Sequence, residues 1–322
     1  MIKLGVFDVL FRDLTWEQTL DRVADAGLEA IELGVGAYSQ SSHVCVPDLL
    51  DRAEARKEFL GGLERRGLFI SALSAQGNPV HPNTAIAADH HARFEQAVRL
   101  AAQLGVETIL LLSGCPGGAP GDNMPNWITC PWPDEYLQAY TYQWEEVLIP
   151  YWQKAVVFAQ DHGIRRLGLE MHPGMAVYNP ETLLRLREAC GPAIGCNLDP
   201  SHLVWQGIDL SEAIYVLRDC IYHVHMKDTA LNDRHIRLNG PLSARHYRHY
   251  NERPWTFRSI GYGQSQQFWI AFLQSLQWIE FDGVLSIEHE DAMLSRDEGF
   301  ARAVTFLQSI RPGEPIRQMW WA

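Results

Sequence analysis

Short apolar runs alternate along the chain with longer amphipathic stretches. The runs are Leu4–Val9, Ala30–Val35, Phe69–Ala75, Thr108–Ser113, Leu167–Met171, Ile194–Asp199, Ile221–His225 and Val284–Glu288, each short enough for one strand. Helical patterns follow them over 16–26, 48–66, 89–104, 135–162, 180–190, 210–219, 265–278 and 295–310. Thr15-Trp-Glu-Gln18 opens the first helix with N-capping chemistry, and Asn179-Pro180-Glu181 opens the fifth with a cap residue followed by proline in the first turn. Eight strand–helix units in strict alternation imply parallel strands with helical crossovers, and eight is the number that closes a barrel. The expected fold is α/β: a (β/α)8 TIM barrel forming a single domain over 1–322, with 310–322 as a C-terminal tail. A doubly wound open sheet is the alternative. It would place a Gly-rich phosphate turn after the first strand, where Phe7-Asp-Val-Leu-Phe-Arg12 stands instead.

Two segments interrupt the alternation. Residues 114–134, rich in Gly, Pro and Trp, follow the fourth strand, and residues 229–264 follow the seventh. Both lie on the strand-to-helix side, where barrel enzymes build their sites, and long loops there serve as lids or substrate walls. The aromatics Trp127, Trp132 and Trp255 favour a wall over a solvated insertion.

Composition narrows the function. With 322 residues, 47% of them hydrophobic and 20% charged, the chain can bury a large core. Its formal net charge of −12 disfavours nucleic acid and anionic membrane surfaces as partners. No run of about 18 apolar residues is present, and Met1-Ile-Lys-Leu-Gly-Val-Phe7 enters a strand pattern without a leader, so a cytoplasmic location is expected. The six cysteines (45, 115, 130, 190, 196, 220) have no metal-finger spacing, and Cys196 and Cys220 read as reduced core residues.

Side-chain parity then locates the chemistry. In Leu167-Gly-Leu-Glu170 the leucines face one way, and Gly168 and Glu170 the other. Asn197 and Asp199 oppose Cys196 and Leu198, His223 and His225 point together, and Ser286 and Glu288 oppose Leu285 and Ile287. The helix-facing side of a barrel strand must be apolar, so the polar set points inward and its last member sits at the strand's C-terminal end. Glu170, Asp199, His225 and Glu288 therefore converge near the axis. Three carboxylates that close repel one another unless a cation joins them. Either four unrelated polar residues end four strands, or the four share one divalent metal ion. Their recurrence in phase favours the metal, and the oxygen-rich set suits Mn2+ first, with Mg2+, Co2+, Zn2+ or Fe2+ as alternatives.

The segments Leu-Glu170-Met-His-Pro, Asn-Leu-Asp199-Pro-Ser-His202-Leu-Val-Trp, His-Val-His225-Met-Lys-Asp and Ser-Ile-Glu288-His-Glu-Asp resemble the sugar phosphate isomerase/epimerase superfamily. This is the xylose isomerase-like barrel group, with ketose 3-epimerases, inosose dehydratase and C-glycoside deglycosidase α-subunits among its members. The resemblance implies Glu170, Asp199, His225 and Glu288 as metal ligands, His202 as a substrate contact beside the metal, and Glu170 and Glu288 as the pair that moves a proton alpha to a sugar carbonyl. His172, two residues beyond Glu170, is a candidate acid/base or substrate contact. Glu32, His81, Lys227 and Arg234 (with Arg237 as its rival) are candidate substrate contacts, and His289 and Glu290 candidate outer partners. His223, one layer below the metal, reads as a core residue.

The expected function is a metal-dependent sugar isomerase or epimerase acting on a small-molecule sugar or keto-sugar. The gap from His225 to Glu288 is longer than in compact ketose epimerases, which opens an alternative: β-elimination from a 3-keto-glycoside or inosose, a lyase or dehydratase reaction on the same site. A C-glycoside deglycosidase would also need a small β-subunit. Two other classes stand further off. Phosphodiester hydrolysis, as in endonuclease IV, would recruit His81, His202 and His223 for extra metals. A non-catalytic sugar-binding subunit would have no use for the glutamate pair. Trp320 and Trp321 in the tail suggest docking onto the barrel or onto a second copy in a homo-oligomer.

Overall fold

The computed structural model describes residues 2–313 and Trp321. Eight parallel strands close into a barrel: β1 (Lys3–Phe7), β2 (Ala30–Gly34), β3 (Phe69–Ser74), β4 (Thr108–Leu112), β5 (Arg166–Glu170), β6 (Ile194–Leu198), β7 (Ile221–Met226) and, last in the chain, β10 (Val284–Ile287). Each pairs with its sequence neighbour, and β1 pairs with β10, which excludes the open sheet. Two strands outside the barrel, β8 (Asp228–Leu231) and β9 (Trp255–Arg258), pair antiparallel with each other.

The helices begin where their capping chemistry directs. Thr15 and Gln18 form a reciprocal capping box, and Asn179 caps Pro180–Cys190 by accepting from Thr182 N at 2.9 Å. The expected helix over 89–104 starts earlier, at Thr84, because the Asn83 side chain accepts from the amides of Ala85 and Ile86. The expected helix over 48–66 is two, Val46–Asp51 and Ala53–Glu64, broken where Arg52 adopts extended backbone. The stretch 135–162 divides into Asp134–Thr141, a π-helical turn over Tyr142–Leu148, and Ile149–Asp161. Pro150 lacks the N–H that a continuous α-helix needs one turn back, and the wider winding lies just before it.

The apolar strand positions and the inner helix faces form one core. The register slips between Ile31 and Glu32 on β2, and between Cys196 and Asn197 on β6. Both irregularities lie beside inward polar residues, where a bulge can re-aim a side chain. Among the described residues no helix is long and apolar enough to cross a membrane. The six cysteines are unpaired, with Cys196 and Cys220 buried. The tail expectation rests largely on residues 314–320 and 322, Trp320 among them, which lie outside the described residues.

Candidate active site at the C-terminal end of the barrel

Glu170, Asp199, His225 and Glu288 stand at or just beyond the ends of β5, β6, β7 and β10. Donor atoms of Glu170, Asp199 and His225 lie within 4.8 Å of one another. His225 Nδ1 is 3.0 Å from Glu288 Oε2 and 3.5 Å from Glu170 Oε2. Parity on four short strands thus produces one cluster, and every member except Glu288, which is partly exposed, is sealed from solvent.

His225 is held from behind. Its Nε2 lies 3.0 and 3.1 Å from the two oxygens of Glu32, and its ring stacks at 5.9 Å on Phe7. The Glu32 bond assigns the proton to Nε2 and leaves Nδ1 facing the carboxylates. Glu32 is fully buried and also accepts from Ser74 Oγ at 2.6 Å and Ser286 Oγ at 2.7 Å. This corrects the expectation that Glu32 contacts substrate: it lies beneath the cluster with both oxygens engaged by protein. His223 sits at the same lower level, bonded to Asn197 at 3.3 Å and Ser71 at 3.3 Å, as a core histidine should.

Lys227 occupies the opposite flank. Its ammonium lies 2.9 Å from Asp199 Oδ2, 2.9 Å from Glu288 Oε2 and 3.4 Å from Glu290 Oε2. Burial works against its charge, but the Asp199 and Glu288 carboxylates outweigh burial and hold its pKa well above the usual lysine value. Burial would likewise raise Glu288, yet Lys227 and His225 hold that carboxyl well below its usual range. Glu170 moves the other way: burial, then the charge of Glu288, raises it to about 7. Two carboxyl groups at one centre are thereby driven apart in protonation.

The residues fit a divalent cation. Three buried carboxyl groups (Glu32, Glu170, Asp199) and the partly exposed Glu288 face one lysine and two imidazoles: His225, whose second nitrogen is already committed, and His202. Asp199 Oδ2 is buried without a hydrogen bond, and its contact with Lys227 is close but poorly aligned. An acceptor oxygen left in that state beside three other donors asks for a positive ligand.

His202, on the short helix Pro200–Trp205, brings Nε2 to 3.0 Å from Glu170 Oε1 and 3.3 Å from Asp199 Oδ2. His172 packs its ring 4.2 Å from that of His202 and donates Nδ1–H to Pro173 O at 2.7 Å. Burial lowers both imidazoles to about 4, so both are neutral. Both line a cavity of about 600 Å³ that opens above the cluster, walled by Trp127, Trp205, Tyr247 and Trp255. Trp127 and Trp255 thus meet the expectation of a wall, while Trp132 is 76% exposed and does not line it.

Two expected substrate contacts lie elsewhere. The ring of His81 accepts from Asn83 N at 2.9 Å, fixing the turn that caps Thr84–Leu104, and lines none of the described cavities. Arg234 is exposed on Asp233–Asn239, in the connection between β8 and β9, and also lines none. His289 contacts Ser259 Oγ at 3.0 Å rather than the cluster. Sequence reasoning missed Gln76, whose amide donates to Glu170 Oε2 at 2.9 Å, and Asn197, which lies 3.2 Å from His225 Nδ1. Continuing strand parity two residues past Ser74 would have found Gln76.

The chain matches the family model for xylose isomerase-like TIM barrels over residues 20–310. The uncharacterized protein YfiH of Bacillus subtilis (strain 168) is 37% identical over 297 residues, covering 92% of this chain and 95% of its own. Among solved structures, the probable 3-DHS dehydratase AsbF of Bacillus anthracis, involved in petrobactin synthesis, has a TM-score of 0.66 at 18% identity, covering 95% of this chain and 99% of that one. The apo form of 3-keto-D-glucoside 4-epimerase, YcjR, from E. coli has a TM-score of 0.62 at 12% identity, covering 96% of this chain and 100% of that one. Likeness at these low identities speaks for the fold alone. The family match over nearly the whole chain and the Bacillus subtilis relative carry the assignment, and the chain belongs to the xylose isomerase-like TIM barrel family.

Proposed function

We propose that this chain is a divalent-metal-dependent sugar isomerase or epimerase that removes and returns the proton alpha to a carbonyl. One observation carries the reading: Glu170 and Glu288, from strands on either side of β6 and β7, each bring a carboxylate oxygen within 3.5 Å of the same buried nitrogen, His225 Nδ1. Two carboxyl groups flanking one centre can serve as base and acid on opposite faces of a bound sugar. Glu170, Asp199, His225 and Glu288 would hold the metal, with Mn2+ the first expectation. When bound, a divalent ion supplies Lewis-acid stabilisation of the negative charge that develops on the carbonyl oxygen.

The chain's own residues do the rest. Gln76 orients Glu170, and Lys227 keeps Glu288 ionised. Neutral His202 stands between Glu170 and the cavity, placed to donate to or accept from a sugar hydroxyl. Trp127, Trp205 and Trp255 line the cavity in which the sugar would sit. The partner in this reading is a small-molecule sugar or keto-sugar.

A specific observation favours a second reading, β-elimination from a 3-keto-glycoside or inosose. The cavity of about 600 Å³ lies within the range for a drug-sized ligand, leaving room for a leaving group beyond the sugar ring. The structures of a probable dehydratase and a 3-keto-glucoside epimerase share this fold, so both outcomes have precedent on it.

Proton NMR in D2O, with Mn2+-loaded protein and a panel of ketoses, inososes and 3-keto-glycosides, tests both. Deuterium entering one carbon as an epimer appears supports the first reading. Exchange accompanied by loss of water or an aglycone moves the assignment to the lyase. No exchange with any substrate, with metal shown to be bound, removes the enolisation chemistry.

A further inference from the structure

The cavity above His172 and His202 changes character away from the carboxylates. Its lining holds two arginines, three histidines and no aspartate or glutamate, in a chain of formal net charge −12. Arg245 is already satisfied, pairing with Glu252 at 2.6 Å on the exposed side. Arg253 is not. It is 3% exposed, and among the described residues it pairs with no carboxylate. Its Nη1 donates to the carbonyl of Arg245, and its Nε is buried with no acceptor.

The guanidinium lies 4.3 Å from the ring of Tyr247 and 4.4 Å from that of Trp255. Ring faces offset part of the lost hydration but accept no strong hydrogen bond, so only the edge of the guanidinium remains for one. Arginine is almost never buried without a partner, because removing its charge from water is costly. Burial accordingly pushes its pKa below the usual arginine value, with only the Tyr247 hydroxyl opposing.

Two further donors share the deficit. The indole Nε1 atoms of Trp127 and Trp205 are also buried without acceptors, and both residues line the same cavity. The neighbouring Trp255 shows the ordinary case, with its Nε1 donating to Pro241 O at 3.0 Å. Buried donors without partners are rare in folded proteins, and these three belong to residues that line one cavity, Arg253 alone among them carrying a charge.

We infer that Arg253 receives an oxyanion carried by the substrate, a carboxylate or a phosphate, in the cavity that Trp127 and Trp205 also line. The substrate is therefore a keto-sugar or hydroxy-ketone acid, or its phosphate ester, rather than a neutral monosaccharide. The position of the reacting end rests on the enolisation reading; the anion site does not.

The test uses the full-length protein and follows quenching of its tryptophan fluorescence by inorganic phosphate, D-glucuronate and neutral D-glucose. At least one anion is expected to bind and D-glucose to bind far more weakly, and competition between phosphate and glucuronate decides which oxyanion is preferred. Arg253→Gln should weaken that anion by about ten- to hundredfold. Arg253→Lys keeps the charge but loses the planar fork, and should fall between. Equal anion affinity in Arg253→Gln and wild type overturns the site. So does a wild type that binds D-glucose as well as either anion, an outcome that needs no variant and stands even if Arg253→Gln fails to fold. Deuterium exchange is read separately. Anion binding that depends on Arg253, without exchange on any substrate, removes the enolisation and leaves the site. Exchange on a keto-sugar, with anion binding equal in wild type and Arg253→Gln, does the reverse.

Discussion

The floor of the barrel mouth and its wall are built by opposite means. The floor is a set of strand ends whose side chains are buried and held by one another: Glu32 beneath His225, Lys227 between Asp199 and Glu288, Gln76 on Glu170. The wall is a long excursion after β7, a loop after β4 and the end of the short helix Pro200–Trp205 after β6, and it is aromatic. The unpaired atoms differ as well. The floor leaves Asp199 Oδ2, Ser201 Oγ and His202 Nε2 without hydrogen bonds, whereas the wall leaves only N–H donors, on Trp127, Trp205 and Arg253. On the proposed reading a cation meets the floor's carboxylates and substrate oxygens meet the wall. Chemistry placed on rigid strand ends and recognition placed on loops would let one reaction serve different substrates.

The sharpest way to break this division is Glu288→Gln. The amide keeps the size of the side chain and removes the carboxylate proposed as base or acid, so turnover should fall by about 10²- to 10⁴-fold. Anion binding read by fluorescence should be unchanged. A comparable loss of anion affinity would show that floor and wall are one unit.

Glu32→Gln should have the next largest effect. The Nε2–H of His225 would lose a charged acceptor, and divalent-metal affinity, measured by Mn2+ titration, should drop by about ten- to a hundredfold. Unaltered affinity would mean that Glu32 does not position the histidine. The pH dependence follows from the same geometry. Glu170 is raised to about 7, and His225, against the cost of its burial, is held well above its usual value by Glu32 and Glu288. Both groups carry protons below neutrality, and bound metal must displace them. Mn2+ affinity should therefore rise with pH and fall as pH drops through about 7, with protons released on binding. Affinity that is flat with pH would place the metal elsewhere.

How far each region could be read from the chain follows the same line. Alternation on β5, β6, β7 and β10 put Glu170, Asp199, His225 and Glu288 on one face because a strand's period does not depend on what lies around it. The same rule misjudged Glu32. Parity gives direction but not depth: Glu32 stands two residues before the end of β2, below the cluster, where Ser74 and Ser286 reach both carboxylate oxygens. The wall was illegible for a different reason. The strands of the β8–β9 hairpin are four residues each and are separated by a helix and an irregular run, so no local period announces their pairing. Position along the loop pointed to Arg234. What selects Arg253 instead is its place between Tyr247 and Trp255, a tertiary fact. Asp228, directly after Lys227, reads in sequence as a partner for that lysine. In the structure it accepts from the amides of Gly261, Gly263 and Gln264 and from Trp269 Nε1, and so ties the return of the wall to the floor.

The smallest expected effect is the most discriminating. Trp127→Phe keeps an aromatic ring against Tyr178, which it meets edge-on at 5.4 Å, and removes only the indole N–H. If that N–H has no acceptor in any state, its removal relieves a buried unsatisfied donor, and binding should be unchanged or slightly tighter. If the donor meets a substrate oxygen, KM should rise by about two- to tenfold, the value of one neutral hydrogen bond, with kcat constant because the contact is equal in ground and transition states. The floor-and-wall division requires the second result. A fall in kcat at constant KM would instead tie Trp127 to the chemical step, and the wall would then belong to the catalyst rather than to recognition.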